Sequence, residues 1–450
     1  MYAYTPAKLL AGRPLLPIKT SMKQSNNPEL IKDRLFNPWR RAFTDKAKSF
    51  VNVINDQYCV YESKTAPRKR ARREKDQAIF DLQLEALATD LAYEHIVHPK
   101  RWLTTSLSKS KLSNEGRYGA KILNNTYPLV VRTFCSDELG FAQYQHGSKF
   151  DWDNDGRTQT RFIASERLIQ LISDYGLSAD DFREINDGEV IILKSSQESI
   201  HDKKELVRYK DTATSNKYRS EVITINQWLQ KAQIEYEEYH TGRFADQNNR
   251  HLRRIFNNGS FEQGGRLFGG FWQFLPKEDR KKSIFINGAE TITLDFGQIA
   301  PRIMYGMAQT QPVFDDAYYL PDIDPKYRDG IKKIFNTLLC ADKRPTRFPM
   351  GTRELIPDTR ISIDQIVNGI LEAHFPIAHL FFSGIGLSVM FQESQIMVDI
   401  LLELINRGIT ALPIHDALII EEDREYIVRE VMTQTFLKHT GVSIQVSRDT

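Results

Sequence analysis

Apolar residues recur at helical spacing in some segments of this chain and at alternate positions in others, and these two periods predict its elements. The segment DQAIFDLQLEALATDLAYEHI (76–96) has the spacing of an amphipathic helix. By contrast, TITLDF (291–296) alternates as a strand, and APRIMYGMA (300–308) returns to helical spacing, with Pro301 suited to a first helical turn. The pattern therefore places Asp295 where a strand ends and a helix is about to begin.

The segment ITALPIHDALIIEED (409–423) carries His415 and Asp416 side by side in a run that otherwise favours β-structure. Burial of a carboxylate costs several kcal/mol unless a partner compensates for it. The pair therefore either lies at a bend that reaches out of the sheet or holds a metal. Because Asp accepts turn geometry well, we predict a strand, a turn and a second strand, with His415 and Asp416 at the bend.

Asp295 and Asp416 are candidate ligands for divalent cations. Two carboxylates at strand ends of one sheet can hold two ions about 3.5–4 Å apart, an arrangement that serves phosphoryl transfer. Oxygen ligands and phosphate substrates favour Mg2+, with Mn2+ as the substitute. We therefore expect two Mg2+ ions, although generic spacing alone would pair many aspartates.

Between these two segments, DPKYRDGIKKIFNTLLCADK (324–343) is predicted to be a helix. Arg328, Lys332 and Asn336 recur every four residues, so they lie on one face of it. Two cations one turn apart suit a nucleoside triphosphate. The alternative is a solvated basic face.

The N-terminal part of the chain is less regular. We expect a basic arm with one helix at 1–75, followed by a mainly helical region at 76–185. Within that region, the strand-like segments 140–145 and 160–172 flank the polar tip HGSKFDWDNDGRTQ (146–159), in which DWDNDG reads as a turn. Helices followed by two such strands are typical of a winged-helix module.

The composition of the chain bears on its cellular compartment. The chain has 450 residues, of which 41% are hydrophobic and 26% charged, and a net charge of +3, as in ordinary soluble proteins. No apolar run is long enough for a bilayer, no signal peptide is apparent, and three scattered cysteines suggest no disulfide framework, so we expect a cytoplasmic protein without a membrane partner.

Basic residues cluster in the N-terminal half. PRKRARREK (67–75) has six of them in nine positions, and the segment 98–121 adds more around aromatic residues. Such runs bind phosphates without sequence preference, and their alternative is a solvated loop. Two runs in one half favour a nucleic-acid partner.

Four motifs together resemble the family A (DNA polymerase I type) polymerases and the related single-subunit phage-type RNA polymerases. The motifs are GGRLFGG (264–270), LDFGQIAPRI (294–303), RDGIKKIFNTLLCADK (328–343) and the segment 390–420 that ends in HDALII. Their order is that of the family, and the likeness covers about 255–445.

The resemblance implies an α+β fold: a right-hand palm with an antiparallel sheet at 258–310 and 391–450, small helical fingers at 311–390, and a thumb-like connecting region at 186–257. It implies that Asp295 and Asp416 bind the metals with help from the Phe296 carbonyl.

The resemblance also implies the roles of the remaining site residues. Lys332 would be a general acid for pyrophosphate. The nucleotide would meet Arg328, Lys332, Asn336 and Ala300, and the primer or template would meet Arg266, Gln298, Arg302, Gln392 and His415.

The resemblance thus implies a nucleotidyltransferase that synthesises DNA or RNA, primase-like synthesis included, on a DNA or RNA template-primer from NTPs or dNTPs. It further suggests a mobile element or phage as the source. The chain departs from the family at Ala300, where the DNA enzymes place a Glu that crowds the ribose 2′-hydroxyl, so we expect weak discrimination against ribonucleotides.

Further departures are Cys340-Ala341, in place of Tyr-Gly, and Ala417, in place of the third carboxylate. They keep an alternative open: a non-catalytic nucleic-acid-binding regulator or replication initiator with a degenerate palm.

Overall fold

A computed structural model describes residues 33–112, 116–147, 159–197, 203–238 and 245–449. They form two compact units, which meet in the sequence between Glu189 and Val190. Both units combine helices with mainly antiparallel sheets, so the α+β class is confirmed. No helix in the described ranges is both long and apolar enough to span a membrane.

The described part of the first unit, residues 33–189 with their gaps, covers the second half of the expected basic arm and the expected helical region. Its elements are β1 (Arg34–Leu35), β2 (Arg40–Ala42), α1 (Asp45–Thr65), α2 (Glu74–Val97), β3 (Leu103–Thr105), α3 (Lys109–Leu112), α4 (Tyr127–Phe134), β4 (Ala142–Gln145), β5 (Thr160–Ala164), α5 (Glu166–Asp174) and β6 (Phe182–Glu184). The helix predicted at 76–96 is confirmed as α2, but the expected amphipathic character is wrong for its second half, which is buried on all faces. Its side chains from Ala86 to Glu94 are all buried.

The strands of the first unit form a four-stranded sheet, in the order β1-β3-β5-β4, and a separate β2-β6 pair. β4 and β5 are antiparallel neighbours, with Ala142 opposite Ala164. The DWDNDG turn between them and residues 1–32 of the arm lie outside the described residues. The winged-helix assignment stays a prediction.

The second unit begins at Val190. Its elements are β7 (Ile191–Leu193), α6 (Ala213–Lys231), β8 (Ile234–Tyr236), β9 (Arg253–Asn257), β10 (Ser260–Phe268), α7 (Lys277–Ser283), β11 (Ile284–Ile286), β12 (Ala289–Phe296), α8 (Ile299–Met307), α9 (Arg328–Cys340), α10 (Ile363–Ala373), α11 (Gly386–Asn406), β13 (Ala411–Ile414), β14 (Ala417–Glu421), α12 (Glu425–Thr440) and β15 (Val446–Arg448).

The central sheet of the second unit runs in the order β13-β14-β12-β11-β8, and β15 also pairs with the end of β12. All of these pairs are antiparallel. Leu294 and Phe296 of β12 are buried in the hydrophobic core, and because side chains alternate along a strand, Asp295 points to the opposite face. The strand at 291–296, the helix after it and the strand-turn-strand at 409–423 are thus confirmed, and the 324–343 helix is confirmed as α9.

The hairpin of β9 and β10 packs against α11 at a pair of glycines. Gly264 and Gly265 have φ values of 79° and 80°, and the β10 register shifts on either side of Gly264. A Cβ on Gly265 would lie 2.8 Å from Ser394 Oγ of α11 and 2.9 Å from the Phe256 ring. The close approach that these glycines suggest is therefore to a helix of the same unit.

Candidate active site

The antiparallel pairing of β12 and β14 brings together two carboxylates that are far apart in the sequence. Asp295 lies opposite Ala417, the residue that follows Asp416, and opposite Ser447 on its other side. The charge of Asp295 raises the pKa of Asp416, and such an effect requires short separation in a poorly solvated place. Both side chains therefore belong to one site.

The turn that presents Asp416 is firmly held. His415 adopts a left-handed conformation, with φ of 55°, between β13 and β14. Just before it, the Pro413 carbonyl accepts hydrogen bonds from Trp272 Nε1 (3.0 Å) and Gln273 Nε2 (2.8 Å). Trp272 and Gln273 lie two and three residues after the GGRLFGG segment, so the stretch that follows this segment fixes the hairpin that carries Asp416.

Burial sets the electrostatics of the two carboxylates. It raises the pKa of Asp295 to about 6, Asp449 adds to the effect, and Lys332 opposes it. Asp416 is only 4% exposed, and burial, followed by the charges of Glu393 and Asp295, raises its pKa well above the usual range. Without a bound cation, the ionised form of either carboxylate is therefore unfavourable.

One oxygen on each carboxylate has no partner. Asp295 Oδ1 and Asp416 Oδ2 are buried and accept no hydrogen bond from the described residues. Buried carboxylate oxygens are normally paired, so a cation is the natural complement to these two atoms. The described residues contain no group of three or more His, Cys, Asp or Glu side chains arranged to hold a metal, so the ligands at hand are these two.

Glu393 on α11 is a third acidic residue of the site, and the sequence reasoning missed it. Its two carboxylate oxygens accept hydrogen bonds from Arg266 Nε (2.6 Å) and Nη2 (2.8 Å). Both side chains are nearly buried, with 4% of Glu393 and 11% of Arg266 exposed. A signal was present, because Glu393 interrupts an apolar helix face next to Gln392. Arg266, expected at the primer or template, is thus held by an internal ion pair.

On α9, the three predicted nucleotide contacts have different surroundings. Lys332 is close enough to Asp295 to lower the pKa of that carboxyl, and its Nζ lies 5.9 Å from the centre of the Tyr318 ring. Arg328 donates to both oxygens of Asp316, at 2.6 and 3.0 Å. Asn336 is half-buried one turn beyond Lys332. The helix therefore directs Lys332 towards the aspartates and leaves Arg328 in an ion pair.

Two residues expected to touch nucleic acid bind within the protein. Gln298 begins α8 with φ of 58°, donates to the Asp315 carbonyl at 3.1 Å and accepts from the Ala317 amide at 2.7 Å. Arg302 donates to the Ser443 carbonyl at 2.9 Å. Both side chains brace loops next to α8.

Four predicted residues remain: Phe296, Ala300, Gln392 and His415. The Phe296 side chain packs on the Phe436 ring, and Ala300 packs against the core in the first turn of α8. Gln392 is half-buried beside Glu393. Burial, with Arg266 and Arg280 nearby, lowers the pKa of His415 to about 4, so its ring is neutral at pH 7.

No family model matches the chain, and neither does any curated protein. Among solved structures, the chain is similar to the POL domain of Pol1 from M. smegmatis, in complex with a DNA primer-template and dNTP. The TM-score is 0.30 and the identity 12%, over 92% of this chain and 79% of that one. A likeness at this TM-score carries no argument for this chain, and the geometry of the site has to carry the function.

Proposed function

We propose that the chain is a polymerase-type nucleotidyltransferase whose palm is the β12–β14 sheet and whose fingers contain α9. The observation that carries the proposal is the pair of half-buried Asp295 and buried Asp416, close enough for the charge of Asp295 to raise the pKa of Asp416, each with one buried oxygen that has no partner among the described residues. A fold that needed only stability would not keep two like charges there without a ligand.

Asp295 and Asp416 would hold two Mg2+ ions, or Mn2+, with the Phe296 carbonyl as a further ligand. Bound ions of this kind activate an attacking oxygen and stabilise a leaving one in phosphoryl transfer. Lys332 would neutralise the triphosphate and donate a proton to the departing pyrophosphate. Arg328 would exchange the Asp316 carboxylate for a phosphate, since both are bidentate acceptors for a guanidinium.

Arg266, Gln392 and His415 would line the path of the primer or template, with Glu393 holding the Arg266 fork in place. For Gln298 and Arg302 we propose positioning roles, because their side chains are engaged within the protein. Ala300 presents only a methyl group in the first turn of α8, so a ribose 2′-hydroxyl would meet no carboxylate there. We therefore propose weak discrimination between NTPs and dNTPs.

The test is incorporation by the purified chain with Mg2+ and labelled NTPs or dNTPs on primed and unprimed DNA and RNA templates. Wild-type protein should extend at least one substrate with both nucleotide sets, and Asp295→Asn and Asp416→Asn should lose at least about a thousandfold, as expected when a main charge-stabilising group is removed. Glu290→Gln is the matched control, because Glu290 is exposed on the same strand as Asp295.

The same variants separate the enzyme from a non-catalytic regulator or initiator. The enzyme would still bind nucleic acid in the Asp→Asn variants while losing incorporation. Binding by wild type without incorporation under any of these conditions would favour the regulator. Strict deoxynucleotide use would contradict the role given to Ala300.

A further inference from the structure

Two lysines, Lys194 and Lys204, lie together near the tip of the β9–β10 hairpin. Lys194 follows β7 directly, and its amide donates to the Phe256 carbonyl of β9 at 3.0 Å. On its other side it forms an antiparallel bridge with Leu206. Lys194 therefore occupies the middle of three adjacent extended segments.

The second lysine shares that face. Lys204 lies two residues before Leu206, which is the bridge partner of Lys194. The side chains of Lys204, Leu206 and Lys194 therefore point to the same face. Lys204 Nζ donates to Asn257 Oδ1 at 2.9 Å, and Asn257 is next to Lys194 across the parallel β7–β9 pair. Lys194, Lys204 and Asn257 thus form one small polar face, and we call its two lysines the lysine pair.

The charges of the lysine pair are not compensated within the described residues. Both side chains are half-buried, and neither forms an ion pair with any residue of the described ranges. Burial lowers the pKa of Lys194, and burial together with the charge of Lys194 lowers the pKa of Lys204. Two half-buried like charges are unfavourable without an anion.

Backbone geometry supports a built arrangement. Gly264 in β10 has φ of 79°, and a Cβ there would lie 2.4 Å from Asn257 Nδ2. The glycine therefore leaves room for the asparagine that holds Lys204. The Asn258-Gly259 turn closes the hairpin beside it, and the Gly259 amide donates to the Lys194 carbonyl at 2.8 Å.

We propose that Lys194, Lys204 and Asn257 bind a phosphate group of a nucleic-acid strand. Free nucleotide or pyrophosphate offers the same chemistry, but the position favours a strand. Arg266 of β10 lies opposite Ile255, two residues along β9 from Asn257 and so about 7 Å away along the strand, and Arg266 lies close enough to Asp416 to lower its pKa. That span is about two nucleotides of one strand, so one strand could contact both Arg266 and the lysine pair. The inference rests on the proposed function for its ligand class.

The test measures binding of labelled single-stranded and duplex oligonucleotides to the full chain by fluorescence anisotropy across a salt series. Lys194→Gln/Lys204→Gln should weaken binding severalfold for every sequence and reduce the slope of log K against log salt by about 1. Lys231→Gln, an exposed lysine at the end of α6, is the control and should change both less. Thermal unfolding should show equal or higher stability for the double variant, since a repulsion is removed.

Unchanged affinity and slope in the double variant, or no oligonucleotide binding by wild type, would overturn the proposal. Competition with NTP and pyrophosphate separates the sources. If the double variant loses binding of these small anions and keeps oligonucleotide binding, the strand assignment is wrong. The anisotropy experiment does not depend on the incorporation assay, so the two proposals can fail separately. A reduced salt slope in the double variant, with no incorporation by wild type, would support the lysine site and contradict the proposed enzyme. Incorporation by wild type, with an unchanged salt slope in the double variant, would support the enzyme and contradict the lysine site.

Discussion

At the scale of single residues, the candidate site keeps two carboxylates in poorly solvated positions, where the ionised form is unfavourable. Burial raises the pKa of both Asp295 and Asp416, the charge of Asp295 raises that of Asp416 further, and each retains an oxygen without a partner among the described residues. Lys332 and Arg266 offset only part of this, and the charge of Glu393 adds to it. The expected consequences are a metal-free protein that gains stability when one aspartate is neutralised, and a metal affinity that depends on pH.

Asp295→Asn should stabilise the metal-free protein at pH 7. The folded pKa of Asp295, about 6, lies above its ordinary value of 3.8, so the folded state holds the proton more tightly. Stability from this group is therefore greatest at low pH and falls as pH rises from about 4 to 6. Removing the charge should raise the free energy of unfolding by about 1–2 kcal/mol at pH 7. Urea unfolding in EDTA measures it, with Glu290→Gln as the control, and a destabilised Asp295→Asn would contradict the prediction.

Mg2+ should bind more weakly in acid, because protons compete for the same carboxylates. The Mg2+ concentration that half-saturates the wild-type protein should rise as pH falls through about 6, the folded pKa of Asp295, by up to about tenfold per pH unit for each proton displaced. Metal-dependent increases in thermal stability, recorded from pH 5 to 8, give these values. A half-saturation that does not change with pH, or an equal Mg2+ response in Asp416→Asn, would exclude the aspartates as ligands.

At the scale of elements, the site depends on how closely β10 lies against α11. The Arg266–Glu393 pair connects the two elements, and Arg254 Nη2 of the neighbouring strand β9 donates a hydrogen bond to Ser394 Oγ of α11 (3.0 Å). Gly265 makes this approach possible, since a side chain there would overlap Ser394 and Phe256. The glycines of GGRLFGG therefore serve the position of Arg266 through packing.

Gly265→Ala should be much more destabilising than Gly259→Ala. Both glycines have positive φ, 80° and 66°, so both variants pay a left-handed penalty of about 1–2 kcal/mol. Only Gly265 has atoms within 3 Å of the added methyl group; at Gly259 the space is open. We expect an additional loss of about 1–3 kcal/mol at Gly265, measured by urea unfolding. Equal losses would mean that β10 and α11 are not tightly packed.

At the scale of the whole molecule, the candidate metal ligands all belong to the unit that begins at Val190, and the first unit has its own core around Phe50, Leu84 and Phe162. Ligand binding stabilises most strongly the structure that it contacts. Mg2+ should therefore slow hydrogen exchange in peptides from β12 and β14 and leave those from α1 and α2 unchanged. Mass spectrometry with Mg2+ or EDTA gives the comparison, and protection confined to α1 and α2 would contradict it.

The sequence by itself determined the elements and the positions of Asp295 and Asp416 within them. Hydrophobic period and turn chemistry act over a few residues, so β12, α8, α9 and the β13–β14 hairpin could be predicted from local pattern. The α+β class follows from the same elements.

Only the tertiary structure decided which side chains meet. Glu393 pairs with Arg266 across 127 residues, Trp272 and Gln273 hold the Pro413 carbonyl across 141 and 140, and Gln298 turns inward to its own loop. Such partners depend on the register of strands and the packing of helices from distant segments. No local period encodes that register, because it is chosen by the burial of the whole core at once.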